Sequence, residues 1–424
     1  MPAAGVPAAG VPAAGVPAAA MPVAVRPPGL RCPAMPELSF PDGFLWGTAT
    51  AAHQIEGGNV NNDWWAFEHD PTSGCVDVSG DACDSYHRFA EDVALVADMG
   101  LDVYRFSLEW SRIEPAEGEF SRAALEHYRR VAGACRERGV VPVVTFHHFT
   151  HPRWLAAEGT WEAPAAAERF ARYCEAAIAH LGDLIGFACT LNEPNVVATM
   201  GWRHGIFPPR VRDRDRRYRV NEVLVDAHRR AVDVIRSGPG DSPVGLTLSM
   251  TDWHLEPGGE AWLERLRQPS EDVFLDATGG DDFIGVQTYT RARIGPDGAV
   301  PPDPGADVTQ MGYEFWPGAL EGTVRRAWER SGGVPVFVTE NGVGTADDAR
   351  RVEYVAGALA GLHRCIADGI DVRGYVYWSL LDNFEWVLGY GPTFGLVEVD
   401  RTTFERRPKP SAAWFGQVAR DNGT

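Results

Sequence analysis

The sequence predicts an α/β protein: a single-domain (β/α)₈, or TIM, barrel. Three observations carry that expectation. Short runs rich in β-branched and aromatic residues alternate with longer segments of helical period. There are eight such runs. In six of the eight units the run closes on a polar or aromatic cluster: Gln54 with Glu56, Arg105 with Glu109, His147 with His148, Asn192 with Glu193, Tyr289, and Glu340 with Asn341. The last unit adds Trp378, Asp382, Asn383, Glu385 and Trp386. A barrel gathers all its strand ends on one face, where active sites lie. A doubly wound sheet, the alternative, also alternates strand and helix but does not gather them.

The strands are expected around Phe44–Ala51, Val103–Trp110, Val140–Phe149, Phe187–Glu193, Val244–Met250, Phe283–Tyr289, Val336–Glu340 and Val372–Leu380. Between the first two, Asp84–Met99 carries Tyr86, Phe89, Val93 and Val96 on one stripe, and Gly100 follows as a stop. Ser121 is a natural N-cap for the next helix, which should end at Gly139. "ERFARYCEAAIAHLG", "NEVLVDAHRRAVDVIRSG" and "VEYVAGALAGLHRCIADG" repeat the plan. The charge run "RVRDRDRRYR" after Pro209 reads as a solvated loop, not a binding patch.

Composition narrows the function. With 39 Lys and Arg against 58 Asp and Glu, the formal charge is −19, so neither nucleic acid nor an anionic membrane is an expected partner. No apolar run is long enough to span a bilayer. The seven cysteines are scattered without C-x-x-C spacing, which fits a reducing, cytoplasmic setting. Residues 1–34 repeat Pro, Ala, Gly and Val every five positions and are expected to be a disordered low-complexity tail. The barrel domain is expected over residues 35–424, with Met21 or Met35 as alternative starts.

Two carboxylates stand out. Glu193 in "TLNEPN" and Glu340 in "VFVTENG" both close apolar strands, a costly place for a charge. Strands four and seven can bring their tips together across an eight-stranded barrel. A carboxyl pair across one bond between sugars is the apparatus of glycoside hydrolysis.

Five stretches in order resemble glycoside hydrolase family 1, the β-glucosidase family: "FLWGTATAAHQIEGG", "YRFSLEWSRIEP", "TLNEPN", "VTENG", and "YWSLLDNFEW" followed by "FGLVEVD". The likeness runs from about Phe40 to Phe415. It implies a cofactor-free, retaining β-glycosidase acting on small β-glycosides. Glu340 would be the nucleophile and Glu193 the acid/base. Gln54, His148, Asn192, Glu385 and Trp386 would hold the sugar hydroxyls. Arg105 and Tyr289 would contact the nucleophile, Tyr289 also bordering the substrate. Trp378 would stack under the ring and Phe394 would border the same pocket. Arg105 and Tyr289 would lower the pKa of Glu340, while burial and the charge of Glu340 would raise that of Glu193.

Members acting on 6-phosphosugars resemble a different pattern, with Ser and Lys near the place of Glu385. The acidic "DNFEW" therefore implies an unphosphorylated sugar. Departures from the family pattern are Gln287 for the usual Asn of strand six, Phe149 for a Trp, and Ala188 for another Trp. A segment is also compressed between "FLDATGG" and "DDFIG", implying an altered, more open leaving-group site. "HHFTH" invites a metal reading through His147, His148 and His151, but neighbouring strand residues face opposite ways, so no metal is expected. A transglycosylase using the same residues, or a weak sugar-binding relative, are the competing functions.

Overall fold

The computed structural model describes residues 37–424. The low-complexity tail and Cys32 lie outside the described residues. Eight parallel strands close a barrel: β1 (Leu45–Ala49), β2 (Val103–Ser107), β3 (Val141–His147), β4 (Phe187–Asn192), β5 (Val244–Ser249), β6 (Phe283–Thr288), β7 (Val336–Asn341) and β8 (Val372–Trp378). Each strand pairs with its neighbours in sequence, and β8 returns to β1, with Ala49 opposite Trp378. Nearly every strand residue is buried on both faces, which explains the continuous apolar runs.

The main helices between and after the strands are α1 (Ser85–Asp98), α2 (Arg122–Glu137), α3 (Ala166–Leu181), α4 (Arg214–Ser237), α5 (Glu260–Arg267), α6 (Ala319–Arg330), α7 (Asp348–Ala367) and α8 (Pro410–Asp421). Three of them, α2, α4 and α7, start with a side-chain cap, the first at the Ser121 that the sequence suggests. Ser121 accepts from the Ala124 N–H at 3.2 Å, and Asp347 from the Ala349 N–H at 3.0 Å. Each cap satisfies a backbone donor that the helix itself cannot, typically worth about 1 kcal/mol.

The charge run departs from expectation. Its second half is the start of α4, because Asp213 accepts from the N–H groups of Asp215 and Arg216 and nucleates the helix there. Arg217 is consequently buried, not solvated.

Two cores result. One lies between strands and helices, with Trp46, Trp110, Tyr173 and Leu362 among its buried members. The other fills the barrel. At its N-terminal mouth Phe187, Phe283 and Phe337 interlock, with ring centroids 5.3 and 5.9 Å from Phe337. This aromatic plug closes the barrel interior at that end, and the polar strand ends line a cavity at the opposite mouth.

Candidate active site

Glu193 and Glu340 line one cavity at the C-terminal mouth, together with Gln54, His148, Tyr289, Trp378, Glu385, Trp386 and Phe394. The cavity volume is about 40 Å³. Its walls carry three carboxyl groups and no lysine or arginine.

Glu340 is 4 % exposed and is held from both sides. The Arg105 Nη1 donates to its Oε1 at 2.5 Å, and the Tyr289 hydroxyl to its Oε2 at 2.6 Å. Glu193 is the residue before the short helix Pro194–Ala198. Its φ of 44° turns the chain out of β4, and its N–H is fixed to Thr247 O at 2.9 Å. Pro194 at the first helical position needs no N–H partner, so the turn can be abrupt.

The two carboxyls differ in environment. Burial, reinforced by the negative field of Glu340, pushes Glu193 well above the ordinary range. Burial raises Glu340 as well, so its net direction is up, contrary to the sequence expectation. Arg105 and Tyr289 oppose that rise by direct hydrogen bonds, whereas Glu193 has a hydrogen bond from Ser249 and only the more distant field of Arg105 against its larger rise. Of the two, Glu340 therefore gives up its proton first.

One guanidinium ties three strands together. Arg105 Nη2 donates to Asn192 Oδ1 at 2.5 Å, and Nε to Thr145 Oγ1 at 3.1 Å. Asn192 Oδ1 also accepts from Gln287 Nε2 at 2.9 Å. Its oxygen thus occupied, the amide must present Nδ2 toward His148 Nε2, 3.3 Å away. Gln287, the long substitute for an asparagine, uses its extra reach to touch Asn192.

The remaining sugar-side candidates converge too. Gln54 Nε2 donates to Asn383 Oδ1 and Phe384 O, leaving its buried Oε1 without a partner. His148 stacks near both Trp378 and Trp386, at interplanar angles of 16° and 12°. Trp378 Nε1 donates to Glu385 Oε1 at 3.3 Å. Phe394 packs edge-on against Tyr289. Burial pushes Glu385 up to about 8, with Glu340 and Asp382 adding to the rise. The side chain expected to repel a phosphate as a carboxylate is thus held largely neutral near pH 7 in the open cavity. It can then donate one hydrogen bond as well as accept others.

His147 and His148 part company as strand alternation requires. His147 Nε2 lies 3.2 Å from His151 Nε2, and His151 Nδ1 donates to Asp63 at 2.8 Å, away from the cavity. Phe149 lines the cavity, and Ala188 is buried in β4. Val196, Met311 and Tyr313 also line it and went unread in the sequence. Met311 and Tyr313 sit on the long connection after β6; the aromatic "GYEFW" in a segment without strand or helix period was their one signal.

Asn341 and Gly342 end β7. Asn341 Nδ2 donates to Thr288 O at 2.6 Å, pointing away from the cavity. A Cβ on Gly342 would lie 2.1 Å from Trp378 O. Gly342→Ala should therefore push apart the strand ends that carry Glu340 and Trp378. We expect kcat to fall at least about tenfold and Tm to drop by a few degrees. Steady-state kinetics and a thermal scan check this; wild-type values in both would show that β8 yields freely.

A barrel with two buried carboxyls lining one cavity at its C-terminal mouth has the arrangement that glycoside hydrolysis uses. The sequence pattern of glycosyl hydrolase family 1 matches residues 37–277 and 282–424, and the chain belongs to that family. The break at 278–281 falls at the junction of "FLDATGG" and "DDFIG". Among relatives, beta-glucosidase A of Thermotoga maritima is 31% identical over 91% of this chain and 98% of its own length. Thermostable beta-glucosidase B of Thermobispora bispora is 35% identical over 92% of each. Among solved structures, beta-glycosidase BGL167 is 48% identical with a TM-score of 0.85, covering 91% of this chain and 98% of its own. The Thermotoga maritima beta-glucosidase in complex with glucoimidazole is 30% identical with a TM-score of 0.86, covering 91% and 100%.

Proposed function

We propose that this enzyme is a retaining β-glycosidase, working as one catalytic domain on small, unphosphorylated β-glucosides and related sugars. The observation that carries the reading is the asymmetry of the carboxyl pair: Glu340 lies between two donors, and Glu193, across the same cavity, has its proton held on by burial. In the first step Glu340 Oε attacks the anomeric carbon. The glycosidic C–O bond breaks, and Glu193 gives its proton to the leaving oxygen. In the second step Glu193, now ionised, takes a proton from water. The water oxygen attacks the same carbon, and the ester to Glu340 breaks. Two inversions return the original configuration.

Asn192 Nδ2, aimed by the three donors on its oxygen, suits the sugar 2-hydroxyl. Gln54 Oε1 and Glu385 suit hydroxyls farther round the ring, and Trp378 offers an indole face to the C–H surface. An unphosphorylated sugar is favoured because the cavity wall has no cation to offset a phosphate. The six described cysteines are all free thiols, which supports a cytoplasmic setting. No helix among the described residues is long and apolar enough to cross a membrane.

The test is the configuration of the first-formed product. Proton NMR of a p-nitrophenyl β-glucoside digest should show β-glucose appearing before mutarotation. Appearance of α-glucose first would overturn the double displacement. A run with added methanol measures transfer to an alcohol directly.

A further inference from the structure

Three arginines are buried among the described residues: Arg105, Arg217 and Arg351. Arg105 faces Glu340, and Arg351 faces Asp348. Arg217, 5 % exposed, faces no carboxylate among the described residues. Its Nη2 donates to Thr199 Oγ1 at 2.9 Å and to Ser270 Oγ at 3.2 Å, and its buried Nε–H has no acceptor. Residues 1–36, outside the described region, contain no Asp or Glu that could reach it.

The surrounding charge makes matters worse. Exposed Arg203 and half-buried His204 lie in the same turn as Thr199. Burial, with Arg203 adding to it, pulls Arg217 down to about 10; Tyr218 opposes this in part, and no carboxylate does. A buried ion without a counter-charge is strongly disfavoured, and removing it from a fold is easier than keeping it. The described chain supplies Arg217 two hydroxyls and no carboxylate.

We propose that Arg217, with Thr199 and Ser270, forms a binding site for a small monovalent anion of the halide class. Nε and Nη2 form one edge of the guanidinium, and both hydroxyls take their bonds from Nη2. Each hydroxyl accepts from Arg217 through a lone pair and keeps its own O–H to donate. With the free Nε–H, that edge offers donors only. One guanidinium balances one charge, so a divalent oxyanion would remain half-uncompensated. Asn221 Oδ1, a buried acceptor one turn further along α4, also weighs against a bulky oxyanion. Thr199 directly follows the Pro194–Ala198 helix, so the site braces the segment that leads away from Glu193. Water in place of the anion is the competing occupant.

The test replaces sodium gluconate with sodium bromide at constant ionic strength while Tm is followed. Wild type should gain about 2 °C in a saturable way. Arg217→Met should show no saturable gain. Crystals of wild type soaked in bromide should show an anomalous peak within hydrogen-bond reach of Arg217 Nε, which decides the matter if the variant does not fold. Equal Tm responses in the two proteins, or water at that position in the bromide crystals, would overturn the proposal. Neither readout involves glycosidase activity, so its failure leaves the reaction untouched.

Discussion

Glu340→Gly should lose hydrolysis of aryl β-glucosides by on the order of 10⁵-fold. The reason is positional. Glu340 Oε1 and Oε2 are fixed by Arg105 and Tyr289, so no second carboxylate can be aimed at the anomeric carbon from that side. The variant leaves a gap one carboxyl in size beside a retained acid. Azide or formate in that gap should restore part of the turnover. With azide the product should be the α-glycosyl azide, because only one displacement then occurs. Circular dichroism establishes that the variant is folded; Arg105 keeps its bonds to Asn192 and Thr145. Near-normal hydrolysis by a folded, uncontaminated variant would remove Glu340 from the reaction.

Glu193→Gln should separate substrates by leaving group. For a poor leaving group such as an alkyl alcohol, the rate should fall by about 10²–10⁴. For 2,4-dinitrophenyl β-glucoside the first step needs no proton, so the loss should move to the second step and appear as a burst of phenol. The pH profile supplies the sign. The protonated form of Glu193 is the active one, and burial with the field of Glu340 raises its pKa. Wild-type kcat/KM should therefore fall as pH rises through that pKa, and the variant should lose this alkaline limb. An unchanged alkaline limb in Glu193→Gln would assign the proton to another group.

The eight barrel strands were legible because burial on both faces writes an unbroken apolar run, and each run matched a strand within a few residues. Glu193 and Glu340 were legible for the converse reason: a carboxyl closing such a run has no structural excuse. The start of α4 was missed because six charged residues in a row mask a helix whose cue is a single Asp213 cap. Met311 and Tyr313 were missed because they reach the cavity from a connection with no repeat to read. The upward push on Glu385 was also out of reach: sequence identifies a carboxyl but not the burial that raises its pKa to about 8. Gln287 was noticed as an exception, yet its partner, Asn192, lies 95 positions away and only the barrel's closure joins them.

The cavity's electrical inventory has a consequence for the whole cycle. Three acidic side chains line it, and a single fixed cation, Arg105, lies behind them against Glu340. On the proposed route the lone negative charge begins on one glutamate, passes to the other when the ester forms, and returns when water breaks it. At every resting stage the ledger reads one anion against one cation. The protein thus relocates a charge without ever creating a second, and a barrel interior can host the traffic with one arginine.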